Sequence, residues 1–365
     1  MLAQATITID LEAIEHNARA VVSALGQRDM DVVGVTKVTC GDPYVARAML
    51  AGGVGALAES RLENLAGLRA AGIEAPLWLL RATTPGLAEK TVALADVSLE
   101  SDVDAVRALN AAAAQAGVRH SIVVMVDIGD LREGLMPDAV PEFLREVVDL
   151  DHIDVVGVGA SLTCYGAIVP DARNLGVLTE VARAAEHYLG RPLWISAGSS
   201  TSIAPVLAGS LPQGAHDLRI GEAIVLGVDP ATREPIAGLD LRDDAITLSV
   251  PVIECAIKPS KPLGTSAQDA FGGVPRFEDR GMRRRALCAI GRQDAAPDDL
   301  TPLDPRVQVL GASSDHLVLD VDEMGEPPHS GDALEFRPSY SGTLRLFTSP
   351  YVLRRYLGSG GVPLG

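Results

Sequence analysis

Eight short apolar segments rich in Val, Ile and Leu recur through the first two-thirds of the chain. They are DVVGVTK (31–37), GALAES (55–60), PLWLLR (76–81), ADVSL (95–99), HSIVVMVD (120–127), DVVGVGASL (154–162), PLWIS (192–196) and DLRI (217–220). Amphipathic stretches such as YVARAMLAGG and DVDAVRALNAAAAQAG lie between them. Strands that are apolar along their whole length are buried on both faces, which is the condition of a parallel sheet covered by helices. Eight such units in about 220 residues predict an α/β fold, a (β/α)8 barrel of the TIM type. An open doubly wound sheet is the alternative. It is weakened because no GxGxxG follows the first strand.

After residue 240 or so the pattern changes. ITLSVPVIECAI, RRRALCAIG, RVQVLGASSDHLVLDV and DALEFRPSY read as strands separated by Pro, Gly and Asp turns. The expectation is a barrel over residues 11–240, followed by an all-β domain over 241–365 that the opening strand within 1–10 joins. Net charge is −17, so a nucleic-acid partner, which needs a Lys/Arg surplus, is not expected. Cys40, Cys164, Cys255 and Cys288 form no CxxC pair and no zinc spacing, so neither a metal site nor a disulfide framework is expected. No run of 18 apolar residues predicts a membrane span, and the first residues carry no basic and apolar leader pattern. The cytoplasm is the expected location.

Barrels of this kind place their chemistry at the carboxyl ends of the strands. The polar residues there are Lys37 after the first strand, Arg132 after the fifth, Thr163 and Cys164 after the sixth, Ser199–Ser202 after the seventh, and Arg219, Gly221 and Glu222 at the eighth. A lysine at the end of a buried strand is costly unless it is paired or used. One that gives up its charge can form a Schiff base with an aldehyde. A Ser-rich turn and the turn after the eighth strand offer hydroxyl and N–H donors for a phosphate, at the loops where barrels often bind one. Each feature alone is commonplace: a strand-end lysine usually forms a salt bridge, and SAGSSTS is usually a polar turn. Their ordered placement on the first, fifth, seventh and eighth strands points to pyridoxal 5′-phosphate.

VTKVTCGD, VDIGDLREG, SLTCYGAIVP, LRIGEAIVLG, DAFGG, AIGRQD and LGASSDHL carry a resemblance to the alanine/ornithine racemase family of fold-type III pyridoxal-phosphate enzymes. The resemblance spans nearly the whole chain. It implies a two-base racemase acting at Cα, on ornithine or a similar diamino acid, with alanine, lysine or another amino acid as alternatives. It implies that Lys37 is the Schiff-base lysine and one proton-transfer base, and that Arg132 contacts the cofactor's phenolic oxygen. Ser200, with the backbone of Gly221 and Glu222, and Tyr340 would bind the phosphate. Arg219 would face the pyridine nitrogen. A guanidinium keeps its proton, so it donates a hydrogen bond there without protonating the ring, and a weaker electron sink suits racemisation. The resemblance also implies a homodimer whose sites draw on both chains.

The chain departs from the family pattern in places. No tyrosine follows Lys37, where Val38, Thr39, Cys40 and Gly41 stand, and Cys164 occupies the place of a ring-stacking histidine. The tyrosine of a Tyr-Gly pair, the second base in alanine racemases, is replaced by Phe271-Gly272. Asp269, two residues earlier, becomes the candidate second base if the segment is extended and burial raises its pKa. Two other functions fit the barrel: a non-catalytic pyridoxal-phosphate-binding protein, for which the β-domain has no use, and a cofactor-free barrel with a structural Lys37.

Overall fold

The computed structural model describes residues 4–210 and 214–358. It divides into two compact units, Leu11–Asp243 and, as one unit, Met1–Asp10 with Asp244–Gly365. Strand β1 (Thr6–Asp10) belongs to the second. The first unit runs α1 (Leu11–Gly26), β2 (Asp31–Val35), α2 (Pro43–Ala51), β3 (Ala56–Glu59), α3 (Leu62–Ala70), β4 (Leu77–Leu79), α4 (Ala88–Leu94), β5 (Val97–Glu100) and α5 (Val103–Ala116). It continues with β6 (His120–Met125), α6 (Val140–Val147), β7 (Ile153–Gly159), α7 (Ala172–Leu189), β8 (Trp194–Ser196), α8 (Ile203–Leu207), β9 (Asp217–Ile220) and α9 (Glu222–Leu226). All eight apolar segments are thus strands. β2 to β9 pair in sequence, and β9 returns in parallel to β2, with Val33 opposite Arg219, to close the barrel.

Local chemistry sets the helix starts. Asp42 accepts from Tyr44 N and Val45 N at 3.0 and 3.2 Å, with Pro43 fixing the first helical position of α2. Asp102 caps α5, and Asp171 forms a reciprocal capping box with Asn174 at α7.

Side chains on a strand alternate between faces. Val33, Val35, Ala56, Ala58, Trp78, Val97, Leu99, Val123 and Met125 make one buried cluster, which is the filling of the barrel. Glycines on β7 give this filling room. A Cβ at Gly157 would lie 2.7 Å from the Trp194 carbonyl oxygen, and one at Gly159 would lie 3.1 Å from Val123 Cγ1. Trp194 stacks on Trp78, with ring centres 6.2 Å apart and planes 7° from parallel.

The alternate residues Ser98, Glu100 and His120 lie behind this wall and are buried. Ser98 Oγ meets His120 Nε2 at 3.0 Å, and Thr83 N donates to Glu100 Oε2 at 3.2 Å. Burial lifts Glu100 to about 7 and pushes His120 down to about 4. The two act on stability with opposite signs. Glu100's contribution is complete below about pH 4.5 and is lost as pH rises through about 7. His120's is complete above about pH 6.5 and is lost as pH falls through about 4. Glu100→Gln keeps the shape and removes only the first. Relative to wild type, its urea-unfolding midpoint should gain progressively between about pH 4.5 and 7 and then level off, while it still drops towards about pH 4. A difference from wild type that stays constant across that range would show that Glu100 does not titrate there.

The second unit is an antiparallel sheet in the order β12 (Leu300–Pro302), β15 (Ala333–Pro338), β10 (Ile246–Pro259), β11 (Met282–Cys288), β14 (Leu317–Asp320), β13 (Gln308–Ala312). β1 pairs antiparallel with β10 and parallel with β16 (Leu353–Leu357). The long strand β10 serves two neighbours, β15 at Leu248–Pro251 and β11 from Val252 on, with a register shift between Val252 and Glu254. The unit also contains a nine-residue helix, α10 (Tyr340–Thr348), in the segment read from the sequence only as strand and turn. Ser339 starts it, its side chain accepting from Gly342 N at 3.1 Å. Among the described residues no helix is long and apolar enough to cross a membrane.

Candidate active site

Val33 and Val35 point into the barrel, and Lys37 follows just beyond the end of β2, where Thr36 leaves the extended conformation at φ −89° and ψ 3°. It opens a 3-10 turn, Lys37–Thr39, whose backbone is pinned from several sides. Thr39 Oγ1 donates to Thr36 O at 3.0 Å, and Cys40 N to Lys37 O at 3.1 Å. Thr36 Oγ1 lies 3.4 Å from Oε2 of the buried Glu59. Cys40 closes the turn in the left-handed region, φ 53°. The Lys37 charge is felt by Glu222 in the turn after β9. Burial raises the Glu222 carboxyl, whereas its ion-pair partner Arg233 and Lys37 pull it down. Lys37 and Glu222 therefore share one rim of the barrel.

Arg219 is buried on β9 and faces inward, because its register partner Val33 does. Its Nη1 donates to the Ser196 carbonyl, at 3.2 Å, and to the Ser196 hydroxyl. Its Nη2 donates to the Ala160 carbonyl and to Ser161 Oγ, the latter at 3.3 Å. No described residue accepts from its Nε. The Ser196 hydroxyl in turn donates to Asp217, two residues before Arg219 on the same strand face. Burial raises the Asp217 carboxyl, and Arg219 opposes this. Burial lowers the Arg219 guanidinium, with Asp217, Glu133 and Cys164 pulling it up and Arg132 pushing it down. These shifts place Arg132, Glu133 and Cys164 within electrostatic reach of Arg219.

Arg132 pairs with its neighbour Glu133. The loop that carries them, between β6 and α6, is folded by Asp127, whose Oδ1 accepts from Gly129 N at 2.8 Å and Leu131 N at 3.2 Å. Gly134 is obligatory here: its φ is 124°, and a Cβ would lie 2.6 Å from Asp127 N.

Ser200 is buried in the 3-10 turn Ser200–Ser202 after β8, and its Oγ accepts from Ala223 N of α9 at 3.3 Å. Gly221, just before α9, lets this turn approach β2, since a Cβ would come within 2.8 Å of Val35 O. Lys37, Arg132, Ser200, Arg219, Gly221 and Glu222 thus all lie at the carboxyl ends of the barrel strands. Cys164 is exposed, its thiol turned back towards Leu162 O at 3.5 Å. The hydroxyl against Arg219 is that of Ser161. Sequence reasoning passed over Ser161, Ser196 and Asp217. The last was legible as an acid spaced two residues from an arginine on one strand.

Tyr340 and Asp269 lie in the other unit. Tyr340 is half-buried in the first turn of α10. For Asp269 both premises of its role as second base need correction. The segment is a turn, not an extended strand: Asp269 Oδ1 accepts from Phe271 N and Gly273 N at 2.9 Å each, and Asp269 N donates to Gly273 O at 2.8 Å. These backbone donors hold the exposed carboxyl below its usual value instead of raising it. An aspartate satisfied by its own loop adopts the turn that the extended reading excluded.

Among the described residues no group of three or more His, Cys, Asp or Glu side chains could hold a metal. A closed barrel filled by apolar side chains, with a lysine, two arginines and a hydroxyl-bearing turn at its strand ends, has the arrangement of a barrel enzyme that takes an anionic cofactor or substrate. Residues 9–227 match the family of the alanine racemase N-terminal domain. The chain is 36% identical to an ornithine racemase of Acetoanaerobium sticklandii over 96% of this chain and 99% of that protein. It is 38% identical to a lysine racemase of Thermotoga maritima over 96% and 98%. Its fold is that of the alanine racemase of Streptomyces lavendulae, with TM-score 0.77, 21% identity and 98% coverage of both chains. The chain belongs to the alanine racemase family of amino-acid racemases.

Proposed function

We propose that this chain is a pyridoxal-phosphate-dependent racemase of a diamino acid, ornithine or lysine. The observation that carries the cofactor is Arg219. Both of its terminal nitrogens are tied to the wall, and its Nε–H is left for an acceptor inside the barrel. A pyridine nitrogen is such an acceptor. The tie between Ser200 Oγ and Ala223 N, which joins the turns after β8 and β9, fits a phosphate cradle.

Pyridoxal phosphate, when bound, supplies an aldehyde that condenses with amines and a ring that withdraws charge from the substrate's Cα. Lys37 is the amine that would hold the aldehyde, and its nitrogen takes a proton from Cα, or returns one, on one face. Arg132 would donate to the phenolic oxygen. Arg219 would donate to the ring nitrogen without losing its own proton, which would limit how much charge leaves Cα and favour quick reprotonation. The opposite face needs a second proton-transfer group, which we assign to the β unit of a second copy in a homodimer.

The diamino-acid preference rests on two supports. The two relatives that are 36% and 38% identical over 96% of this chain are named for substrates with a second amino group. Glu133, the ion-pair partner of Arg132, adds a carboxylate within electrostatic reach of Arg219, which would suit a cationic side chain. Chiral chromatography of single enantiomers of ornithine, lysine, alanine, serine and arginine tests the reading. Ornithine or lysine should exceed alanine in kcat/KM by at least about 10²-fold. In the same assay Glu133→Gln should raise KM for the diamino acids more than for alanine. A panel led by alanine, or one without any racemisation, would refute the proposal.

A further inference from the structure

One buried carboxylate joins two loops of the barrel rim, and no step above uses it. Asp130 lies in the loop between β6 and α6 and is only 2% exposed. Its side chain reaches across to the loop between β7 and α7. Oδ2 accepts from Tyr165 N at 2.8 Å, and Oδ1 from Gly166 N at 3.1 Å and Ile168 N at 3.5 Å. A buried carboxylate is costly unless such donors compensate it, so the contact is strongly preferred to the alternative of a desolvated charge.

The loop it holds needs holding. Thr163 and Ala167 sit in the left-handed region, φ 60° and 54°, and Leu131 beside Asp130 does too, at 53°. None is a glycine, and each such conformation is strained unless its surroundings impose it. Gly166 packs directly on the clamp: a Cβ there would stand 2.9 Å from Asp130 O and 3.3 Å from Asp130 Oδ1.

From the clamped loop a chain of hydroxyls runs on to the phosphate side. Thr163 Oγ1 donates its one hydrogen to Ile168 O at 2.7 Å and lies 3.2 Å from Thr201 Oγ1, whose hydroxyl can donate to it. Thr201 Oγ1 and Ser199 Oγ are 3.2 Å apart. Their neighbour Ser200 makes the tie to α9 already described. The loops after β6, β7, β8 and β9 are therefore stitched in order, with Arg132 on the first and the phosphate-binding turn on the last two.

We propose that Asp130 is a positioning residue of the racemase. Its carboxylate fixes the 163–168 loop, and through Thr163 and Thr201 it sets the turn that holds the phosphate relative to Arg132. This rests on the function proposed above. The residue touches neither substrate nor cofactor, so its removal should loosen the rim without unfolding the barrel.

The test compares the cofactor-loaded wild type with Asp130→Asn and Asp130→Ala. Amide hydrogen exchange of residues 163–168 should speed up in both, more in the Ala variant, because Asn keeps one acceptor. Cofactor affinity, read by titrating its visible absorbance, should weaken by about 10-fold or more, and kcat should fall by up to about 10²-fold with KM changed far less. Thr163→Val cuts the same stitch from the other end. It should give a milder version of every change, and it decides the matter if Asp130→Ala does not fold. Unchanged exchange at 163–168, or faster exchange with unchanged cofactor affinity and kcat, would overturn the proposal. A wild type that racemises nothing would overturn the function instead, and that result appears in the parent before any variant is made.

Discussion

Lys37→Ala will lower racemisation by on the order of 10⁴-fold or more, because it removes both the amine that would hold the cofactor and one of the two proton-transfer groups. Stability should hardly change. The turn around Lys37 is pinned by Thr36, Thr39 and the backbone of Cys40, none of which uses the lysine side chain. Thermal unfolding therefore separates a chemical loss from a folding defect. Borohydride reduction of the loaded wild type, followed by peptide mapping, should find the pyridoxyl group on Lys37. Finding it on Lys258 or Lys261 would overturn the assignment, as would a Lys37→Ala enzyme that keeps a tenth of its activity.

Arg219→Gln should cost both activity and stability. The guanidinium is the counter-charge of the buried Asp217, to which the Ser196 hydroxyl links it. Removing one member of such a pair leaves a desolvated charge, at about 3 kcal/mol. The sign of the pH dependence follows. The folded Asp217 carboxyl is already raised, and without Arg219 it rises further. The charged form is the penalised one, so the deficit is smallest at low pH, where the carboxyl is neutral, and grows as pH rises through its folded value. Urea unfolding of variant and wild type at about pH 5 and pH 8 should show the larger gap at pH 8. Equal gaps would mean that Asp217 is not the group left exposed to the loss.

The barrel was legible because its signal is repeated. Eight continuous apolar strands, each followed by a helix, leave little freedom once right-handed crossovers are required. The residues at the strand ends followed from that frame, so Lys37, Ser200 and Arg219 could be singled out from position and chemistry alone. What the sequence hid was the packing between loops. Nothing in GDLREG says that Asp130 reaches a different loop, and nothing in GASLTC says that Ser161 and not Cys164 meets Arg219. Such contacts depend on how irregular backbone closes in three dimensions, for which no period exists. Asp269 failed for a related reason: its extended geometry was borrowed from the parity of a strand, while the two glycines that follow it, Gly272 and Gly273, allowed the chain to fold back onto its carboxylate.

The stacked indoles in the barrel floor have an optical consequence. Trp78 and Trp194 are the only two tryptophans of the chain, and both belong to the barrel unit. Indole emission thus reports on that unit alone, with no contribution from the β unit. Two near-parallel rings 6.2 Å apart also couple their excited states, so the far-ultraviolet circular dichroism should carry an exciton band that vanishes when the floor opens. Following emission and that band against the tyrosine signal, which both units share, would resolve whether the barrel and the sheet melt together or in turn.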